Sequence, residues 1–552
     1  MVKNDESIPV DRRKIMMFNS LARANIILYT GTLAAIIFDL RMMNMANELI
    51  LAFDFGTSGV KSCIFDTQGN FLAEGYDTYQ THYPQAGYVE HDPNDWWEAM
   101  KTATRKVLGA SGVQPAQIKA MSFSSHGMGA IPVDADGNVL TERVMLWNDA
   151  RATEEAKFIL ESVGEREHYE MTGNSFDLSM YPAAKILWIK RNLPEVFART
   201  AKFIGPKEYL IHRMTGVIGF TDYGEAGMSG LYNLREHRWD PKLMALSGID
   251  ESRLCKVVDS THLMGGLTAA AAEEMGLCEG TPVVLGSWDN YACATGGGVR
   301  KKGEMVLCMG TAGWMGINHD EPITTPENMT NVVYVGNDTY FTSIHSHAAC
   351  AAYDWVINNA CTYLKNEEKP LKAAEELAKA VPAGSDKLFF LPSMFAGNTF
   401  YSSSALCGTF VGLKMLQGTG HLIRAAMEGV GFDLMMGAEL MQAKNAMPAN
   451  CCLIGGGAKS DLWRQILADM CQVTMTRPNN MQHIGALGAA LMAGVGTGLI
   501  ENFDKAAEIV KTDDKAQPIA ENTAVYKALL PVYRKFYEQL LPAYKMLQEV
   551  KL

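Results

Sequence analysis

Three segments of the chain combine glycine with hydroxyl-bearing residues directly after apolar runs. The first, DFGTSGVK, covers Asp54 to Lys61, and the second, CMGTAGWMG, covers Cys308 to Gly316. The third, GGGAKSDLWRQILADM, covers Gly455 to Met470 and passes from a predicted strand into a predicted helix. Glycine lets the backbone approach a phosphate closely, and free N–H groups at such turns attract anions. A single Gly-Thr turn also arises by structural chance, but two matched turns and the glycine junction together predict a nucleotide site.

Phosphoryl transfer is the chemistry that such segments serve. It needs anchors for the phosphates, a metal ion to neutralise them and a base aimed at the attacking hydroxyl. Two carboxylates stand where strands end: Asp54, and Asp289 after the apolar run from Val283 to Gly286. A carboxylate at the start of a helix is stabilised in its charged form, and its alternative role is that of an ordinary helix N-cap. The Walker lysine pattern is absent from the three glycine segments, which excludes a P-loop protein.

The elements that must position these residues begin as a β-meander. Strands are predicted from Leu49 to Phe53, from Val60 to Phe65 and from Phe71 to Tyr76, separated by short turns. A helix from Pro93 to Leu108 and a strand from Ile118 to Phe123 follow. The continued alternation of strands and helices predicts an α/β fold.

The chain is too long for one domain. Its 552 residues exceed the ~250 to 300 at which a single core stops growing. The run from Gly296 to Gly298 marks the predicted boundary, and the segment from Met305 to Trp314 then repeats the strand and Gly-Thr turn of the first half. This internal echo predicts two duplicated lobes.

Two helices are predicted in the second half. Arg424 and Glu428 stand four residues apart, which favours an intrahelical ion pair. The stretch from Tyr526 to Leu547 has apolar residues at helical spacing and is expected to be interrupted at Pro531 and Pro542.

Composition excludes several classes of protein. Hydrophobic residues make up 48% and charged residues 20%, as in soluble globular proteins. The formal net charge of -12 comes without a basic stripe, so a nucleic-acid partner is not expected. The eleven cysteines form no C-x-x-C pair, which argues against a zinc or thioredoxin-like site and for reduced thiols in the cytoplasm.

The first 45 residues differ from the rest of the chain. Basic residues are followed by an uncharged run from Ala24 to Phe38, about fifteen residues long where a membrane span needs ~20. No small-residue cleavage site follows it. We interpret residues 1–45 as a leader produced by an over-extended start, with no membrane role.

Taken together, the motifs resemble the FGGY carbohydrate kinases. The DFGTS, GTA and GGGAKS segments fit the family, as do MYPAAKILWIKRN from Met180 to Asn192 and GTFVGLKMLQGTGHLIRAAME from Gly408 to Glu428. The overall look is closest to the xylulokinase-like branch. The resemblance implies the actin-like ATPase fold, with two ribonuclease-H-like lobes around a nucleotide cleft. Residues 48–298 would form the sugar-binding lobe and residues 299–552 the nucleotide-binding lobe.

The same resemblance implies roles for individual residues. Asp289 would be the general base that takes the proton of the sugar hydroxyl, with Asn290 beside it. Asp54 would hold Mg²⁺, an ion that is usually bound by few carboxylates and several waters. The remaining ATP contacts would be Thr57, Ser58, Gly310 and Thr311 on the phosphates and Gly456, Gly457 and Lys459 on the nucleoside.

The sugar pocket departs from the family pattern. Xylulokinases carry a Gln-Met-His-Gly run where this chain has His126-Gly127-Met128-Gly129, so the substrate histidine falls on Met128 and His126 would act from a shifted position. The Arg-Glu pair of glycerol kinases is absent as well. Trp147 and Asp149 match a segment that borders the pocket, where Trp147 would stack on a sugar or serve as a core residue.

The sequence thus predicts the reaction but not the identity of the substrate. ATP, with Mg²⁺ as cofactor, would phosphorylate a small sugar, first of all a ketopentose such as xylulose. A polyol of the erythritol type is the alternative acceptor, and a non-kinase actin-like ATPase is the alternative from another class. A homodimer is compatible with the sequence, whereas nucleic-acid and membrane partners are not expected.

Overall fold

The computed structural model describes residues 48–550, except 175–176, 326–328, 337–338, 396, 402, 404, 445–446 and 480. The predicted leader, residues 1–45, lies outside the described residues. Within the described part of the chain, no helix combines the length and apolar character needed to cross a bilayer.

The first half of the chain alternates strands with helices. Its strands are β1 (Leu49–Phe55), β2 (Gly59–Asp66), β3 (Phe71–Thr78), β4 (Glu90–His91), β5 (Ile118–Ser125), β6 (Ile131–Val133), β7 (Val144–Met145), β8 (Lys202–Ile204), β9 (Phe220–Asp222), β10 (Tyr232–Asn233), β11 (Arg238–Trp239), β12 (Lys256–Val258), β13 (Leu263–Gly266), β14 (Pro282–Val284) and β15 (Ser287–Trp288). Its helices are α1 (Pro93–Ser111), α2 (Thr153–Val163), α3 (Glu165–Thr172), α4 (Pro182–Asn192), α5 (Pro194–Arg199), α6 (Pro206–Thr215), α7 (Tyr223–Gly227), α8 (Pro241–Ser247), α9 (Ala269–Met275) and α10 (Asp289–Gly296).

The second half follows the same plan. Its strands are β16 (Met305–Met309), β17 (Gly313–His319), β18 (Thr330–Val333), β19 (Tyr340–Ser346), β20 (Phe389–Leu391), β21 (Thr409–Val411), β22 (Asn450–Ile454), β23 (Thr474–Pro478) and β24 (Thr512–Ala516). Its helices are α11 (Cys350–Trp355), α12 (Pro370–Lys379), α13 (Thr419–Ala443), α14 (Asp461–Cys471), α15 (Ile484–Thr497), α16 (Phe503–Ile509) and α17 (Ala520–Glu549).

Two seven-stranded sheets form the centres of the two lobes. The first has the order β13-β14-β5-β1-β2-β3, with β15 paired to β5, and the second has the order β18-β19-β17-β16-β22-β23-β24. In each sheet an opening antiparallel hairpin, β1–β2 or β16–β17, lies beside a parallel strand, β5 or β22. The predicted echo between the two halves is therefore confirmed at the level of topology.

Both faces of β1 are buried, which explains its nearly uninterrupted apolar sequence. Because side chains alternate along a strand, Leu49, Leu51, Phe53 and Phe55 pack with Trp96 and Trp97 of α1 on one face. Ile50 and Ala52 pack on the other face in a cluster that includes residues of α10 and α15. Asp54 continues this second face, and alternation therefore directs its carboxylate toward the interface between the lobes.

Helices α10 and α15, one from each half, pack against each other through glycine. A Cβ atom on Gly296 would lie 2.1 Å from the carbonyl oxygen of Ile484, and one on Gly488 would lie 1.8 Å from that of Ala292. Helix α15 also packs on β1 and β5 of the first sheet. A helix of the predicted nucleotide lobe thus lies against the sheet of the sugar lobe, which the sequence did not predict.

The C-terminal helix corrects one prediction. Helix α17 runs without interruption from Ala520 to Glu549 although Pro531 and Pro542 lie inside it. Both prolines are exposed, whereas Tyr526, Tyr533 and Tyr537 are buried on the opposite face. Packing of the tyrosine face thus stabilises the helix despite the backbone hydrogen bonds that the prolines remove.

Candidate active site

The predicted catalytic residues lie at one edge of the first sheet. Parallel strands β1, β5 and β15 align Asp54 beside Ser124, and Ser124 beside Ser287. Asp289 follows Ser287 by two residues and is the first residue of α10. Carboxyl ends of parallel strands are where α/β proteins bind ligands, and this register brings Asp54 and Asp289 to that edge.

The carboxylate of Asp54 has one fixed oxygen and one more open one. Oδ1 accepts a hydrogen bond from Oγ of Ser124 at 3.1 Å, whereas Oδ2 lies 4.0 Å from Nζ of Lys61. Its side chain is 30% exposed. Burial raises the pKa of Asp54, opposed by Lys61 and by the Ser124 hydrogen bond, so a further cation beside it would be favourable. An accessible carboxylate oxygen of this kind is a ligand that Mg²⁺ prefers, and the site therefore fits the predicted metal.

Helix α15 begins directly against Asp54. A Cβ atom on Gly485 would come within 3.0 Å of Oδ1 of Asp54 and 2.9 Å of Oγ of Ser124. Glycine at this position lets the N-terminus of the helix approach the carboxylate, where the helix dipole favours negative charge. Gly485 is a site residue that the sequence analysis missed, since one glycine among several carries no signal.

Asp289 lies in the first turn of α10, whose N-cap is Trp288, so the alternative of an N-cap role for Asp289 is not realised. Its Oδ1 accepts from the backbone N–H of Asn290 at 2.7 Å. Both Asp289 and Asn290 are partly exposed. Burial raises the pKa of Asp289 to about 7, and the charge of Asp54 contributes in the same direction. A carboxylate with a pKa near neutrality is suited to accept a proton at physiological pH.

The turn after β1 connects the predicted phosphate contacts with the predicted sugar pocket. Thr57 is partly exposed and Ser58 is exposed. The hydroxyl of Thr57 accepts a hydrogen bond from Nε1 of Trp147 at 3.0 Å, and Trp147 is 39% exposed. The indole is therefore a surface group of the site, not a core residue, with its N–H directed to the turn.

The predicted nucleotide contacts of the second lobe lie together. Gly310 and Thr311 form the tight turn between β16 and β17. Gly455 has a φ of 88° and is packed so closely that a Cβ would lie 2.6 Å from the carbonyl oxygen of Met309. The short 3-10 helix that follows contains the remaining predicted contacts, of which Gly456 and Lys459 are exposed and Gly457 is buried.

His126 and Met128 lie in the loop after β5, and both are buried, at 4% exposure each. The ring of His126 packs on Phe55 and Trp96, with centroids 4.7 and 5.8 Å apart. Burial lowers the pKa of His126 to about 3, so the ring is neutral. Its predicted sugar contact, and that of Met128, stay predictions.

Asp149 occupies a structural position. Its side chain is fully buried, and its two oxygens accept from Nε and Nη2 of Arg151 and from the backbone N–H of Val89 at 2.6 to 2.8 Å. These contacts leave neither oxygen open to a ligand in this conformation. In this conformation the carboxylate supports the segment that carries Trp147, and a direct substrate contact of Asp149 stays a prediction.

One surface cavity lies away from these residues. It has a volume of about 490 Å³ and is lined by Arg235, Lys302, Glu321, Lys444 and their neighbours, and none of the predicted site residues borders it. A cavity of about 40 Å³ lies behind the His126–Gly129 loop, beside Gly129 and Glu225. We therefore assign the candidate active site from the chemistry of its residues and not from the volume of a cavity.

Comparison with known proteins identifies the family of the chain. Residues 49–296 match the model of the FGGY family of carbohydrate kinases, N-terminal domain, and residues 305–497 match that of its C-terminal domain. A xylulose kinase of Bacillus subtilis (strain 168) is 30% identical over 494 residues, 89% of this chain and 97% of the relative. A gluconokinase of Bacillus licheniformis is 27% identical, covering 88% of this chain and 94% of the relative.

Solved structures show the same architecture. Gluconate kinase from Lactobacillus acidophilus superimposes with a TM-score of 0.82 at 26% identity, over 91% of this chain and 99% of that one. Ligand-bound xylulose kinase from Lactobacillus acidophilus gives 0.83 at 25% identity, over 91% and 100%. The molecule thus has the actin-like ATPase fold of two-lobed sugar kinases. The chain belongs to the FGGY family of carbohydrate kinases and is a sugar phosphotransferase.

Proposed function

We propose that the protein transfers the terminal phosphoryl group of ATP to a hydroxyl of a small neutral sugar, with Asp289 as general base. The observation that carries this proposal is the position of Asp289. It is a partly exposed carboxylate at the start of α10, at the same edge of the first sheet as Asp54, and its pKa is raised to about 7. A base in this state can accept the hydroxyl proton as the sugar oxygen attacks the phosphorus.

The reaction then balances without a further reactant. An Asp289 oxygen takes the hydroxyl proton, the sugar oxygen forms a bond to the terminal phosphorus, and the bond between that phosphorus and the bridging oxygen of ADP breaks. Bound Mg²⁺, for which Asp54 offers the open Oδ2, would neutralise charge on the phosphates. Asn290, next to the base in sequence, would orient the sugar.

The predicted phosphate anchors lie on turns of both lobes. Thr57 and Ser58 belong to the first lobe, while Gly310 and Thr311 belong to the second. We infer that ATP lies between these turns, with its nucleoside toward Gly456, Gly457 and Lys459. Closure of the lobes would bring the phosphate to the sugar and exclude water, which otherwise competes as acceptor.

For the substrate we propose a ketopentose such as xylulose, as the names of several relatives suggest. The buried cations near the loop favour a neutral substrate over a sugar acid. Lys185 donates to backbone carbonyls, and Arg151 pairs with Glu90 and Asp149. Neither is free to neutralise a substrate carboxylate. A polyol such as erythritol is the second candidate, because the thioether of Met128 cannot bind a hydroxyl as a histidine would.

A substrate panel tests this proposal. Purified protein with Mg-ATP is assayed for ADP release with D-xylulose, D-ribulose, erythritol and D-gluconate. We expect a ketopentose to give the highest kcat/KM and gluconate the lowest. Lys185 and Arg151 are already paired, so the carboxylate of gluconate would lose water without gaining a counter-charge from them.

The same panel separates the alternatives. The highest kcat/KM with gluconate would contradict the neutral-substrate proposal, and the highest with erythritol would support the polyol. ADP release that is equal with and without every sugar would support a non-kinase ATPase.

A further inference from the structure

One peptide unit in the loop after β5 is held at both edges by buried ionisable side chains. The carbonyl oxygen of Met128 accepts from Nζ of Lys185 at 3.2 Å, and the N–H of Gly129 donates to Oε1 of Glu225 at 3.2 Å. Both atoms belong to the Met128–Gly129 peptide, which is planar. The amino group of Lys185 on one edge and the carboxyl group of Glu225 on the other therefore fix the orientation of that plane.

The backbone of Met128 is in a conformation that such a restraint must maintain. Its φ is 61°, in the left-handed region that side chains other than asparagine and aspartate rarely adopt. Met128 is also buried, with 4% of its surface exposed. Its side chain is thereby held in one direction within the predicted sugar-binding loop.

Lys185 joins this loop to the second segment at the pocket. It lies on α4 and is fully buried, and its Nζ also donates to the carbonyl oxygens of Leu146 at 2.5 Å and Trp147 at 3.4 Å. Burial lowers the pKa of Lys185 to about 7, and in the protonated form its ammonium group has three N–H donors and no acceptor. Its three donors thus meet three carbonyls from the two segments that carry Met128 and Trp147.

Glu225 joins the loop to β15, the strand that directly precedes the proposed base. Its backbone N–H donates to Oδ1 of Asp222, and Oδ2 of Asp222 accepts from Oγ of Ser287 at 2.6 Å. Ser287 precedes Asp289 by two residues. A Cβ atom on Gly127 would lie only 2.6 Å from Oε2 of Glu225, so this carboxylate lies directly beneath the loop.

We propose that Lys185 and Glu225 are positioning residues that clamp the Met128–Gly129 peptide and thereby set the shape of the sugar pocket. The inference rests on the proposed function, because it takes the loop as the sugar-binding loop. If Lys185 and Glu225 served folding alone, their loss would lower stability and would not change the KM for sugar more than the KM for ATP. The clamp acts on the sugar side, so its loss raises the KM for sugar while the KM for ATP stays the same.

The first test compares Lys185→Met with Lys190→Met. Lys190 lies on the same helix and also donates to one backbone carbonyl, that of Gly248 at 3.0 Å, but it is exposed. We expect Lys185→Met to raise the KM for the preferred sugar about tenfold or more, since the hydrogen bonds that its amino group donates to three carbonyls are lost. Lys190→Met should leave both KM values unchanged.

A second variant covers the case in which Lys185→Met does not fold. Glu225→Ala removes the other end of the clamp and should raise the sugar KM in the same way. Because both residues hold one peptide, the double variant should lose little more than the more severe single variant. Fully additive effects of the two changes on sugar KM would contradict the clamp.

Hydrogen exchange distinguishes failure of the clamp from failure of the proposed function. Loss of either end should increase amide exchange in residues 126–129, and Lys185→Met also in residues 146–147, with the turn at 310–311 unchanged. Unchanged exchange at 126–129 in both folded variants would overturn the clamp. Increased exchange there, in a protein that phosphorylates no sugar, would support the clamp and refute the sugar-kinase function.

Discussion

At the scale of residues, the two carboxylates of the site differ in their surroundings. Asp54 has Ser124 and Lys61 as partners and the start of α15 beside it. Asp289 accepts from its neighbouring backbone N–H, and burial near Asp54 raises its pKa to about 7. One carboxylate is thus arranged to stay charged beside a cation and the other to exchange a proton.

The pH dependence of the reaction follows from this difference. A general base acts only when deprotonated, so kcat/KM for the sugar should rise with pH through about 7 and level off above it. The measurement is kcat/KM at saturating Mg-ATP from about pH 5 to about pH 9. A profile that stays flat across that range would contradict the assignment of Asp289.

At the scale of elements, the pair α10 and α15 determines where the carboxylates lie. Asp289 begins α10, and Gly485 places the first turn of α15 against Asp54. The two helices approach so closely that glycine is required at Gly296 and Gly488. A change in their packing should therefore alter the distance between Asp54 and Asp289, the two carboxylates of the candidate site.

Gly488→Ala tests this dependence. The added methyl group would lie only 1.8 Å from the carbonyl oxygen of Ala292 and would overlap it. Ala292 is about one helical turn after Asp289 in α10. We expect unfolding free energy to fall by about 1 to 3 kcal/mol and kcat to fall about tenfold or more through displacement of Asp289. Urea unfolding and steady-state kinetics measure the two effects.

The matched control is Gly109→Ala. Gly109 is an exposed helical glycine, and a Cβ atom added to it would have no neighbouring atom within 4 Å. Alanine there should therefore be neutral or slightly stabilising. Wild-type kcat in Gly488→Ala would show that the helix pair does not position the base.

Sequence patterns predicted local features well and contacts between distant segments poorly. The two hairpins, the helix start at Asp289 and the Arg424–Glu428 pair, with Nε and Oε1 2.8 Å apart, follow from spacing over a few residues. The position of α15 on the first sheet and the contact of Lys185 with the Met128 loop depend on residues far apart in the chain. No local periodicity of the sequence encodes such contacts. Local propensity alone predicts a break in α17 at Pro531 and Pro542, whereas packing of its tyrosine face keeps the helix continuous.

At the scale of the whole molecule, each lobe carries part of the site. The first lobe has Asp54, Asp289 and the predicted sugar-binding loop, and the second has the turns at Gly310 and Gly455. His483, just before α15, stacks on Phe71 of β3 with ring centroids 3.9 Å apart. Its Nδ1 lies 3.4 Å from Oε2 of Glu74. These contacts attach the second half of the chain to the first sheet next to the carboxylates, so lobe motion would be transmitted to the site.

The most direct test of the account is the phosphoryl-transfer rate of Asp289→Asn with the preferred sugar. Asparagine keeps the size of the side chain but cannot take the proton, so sugar-dependent ADP release should fall by about 10² to 10⁴-fold. Binding of ATP should be retained, because the predicted nucleotide contacts lie in other segments. Asp320→Asn, at an exposed aspartate paired with Lys302, should behave as wild type. Sugar-dependent ADP release in Asp289→Asn close to that of wild type would contradict the central claim that Asp289 is the base.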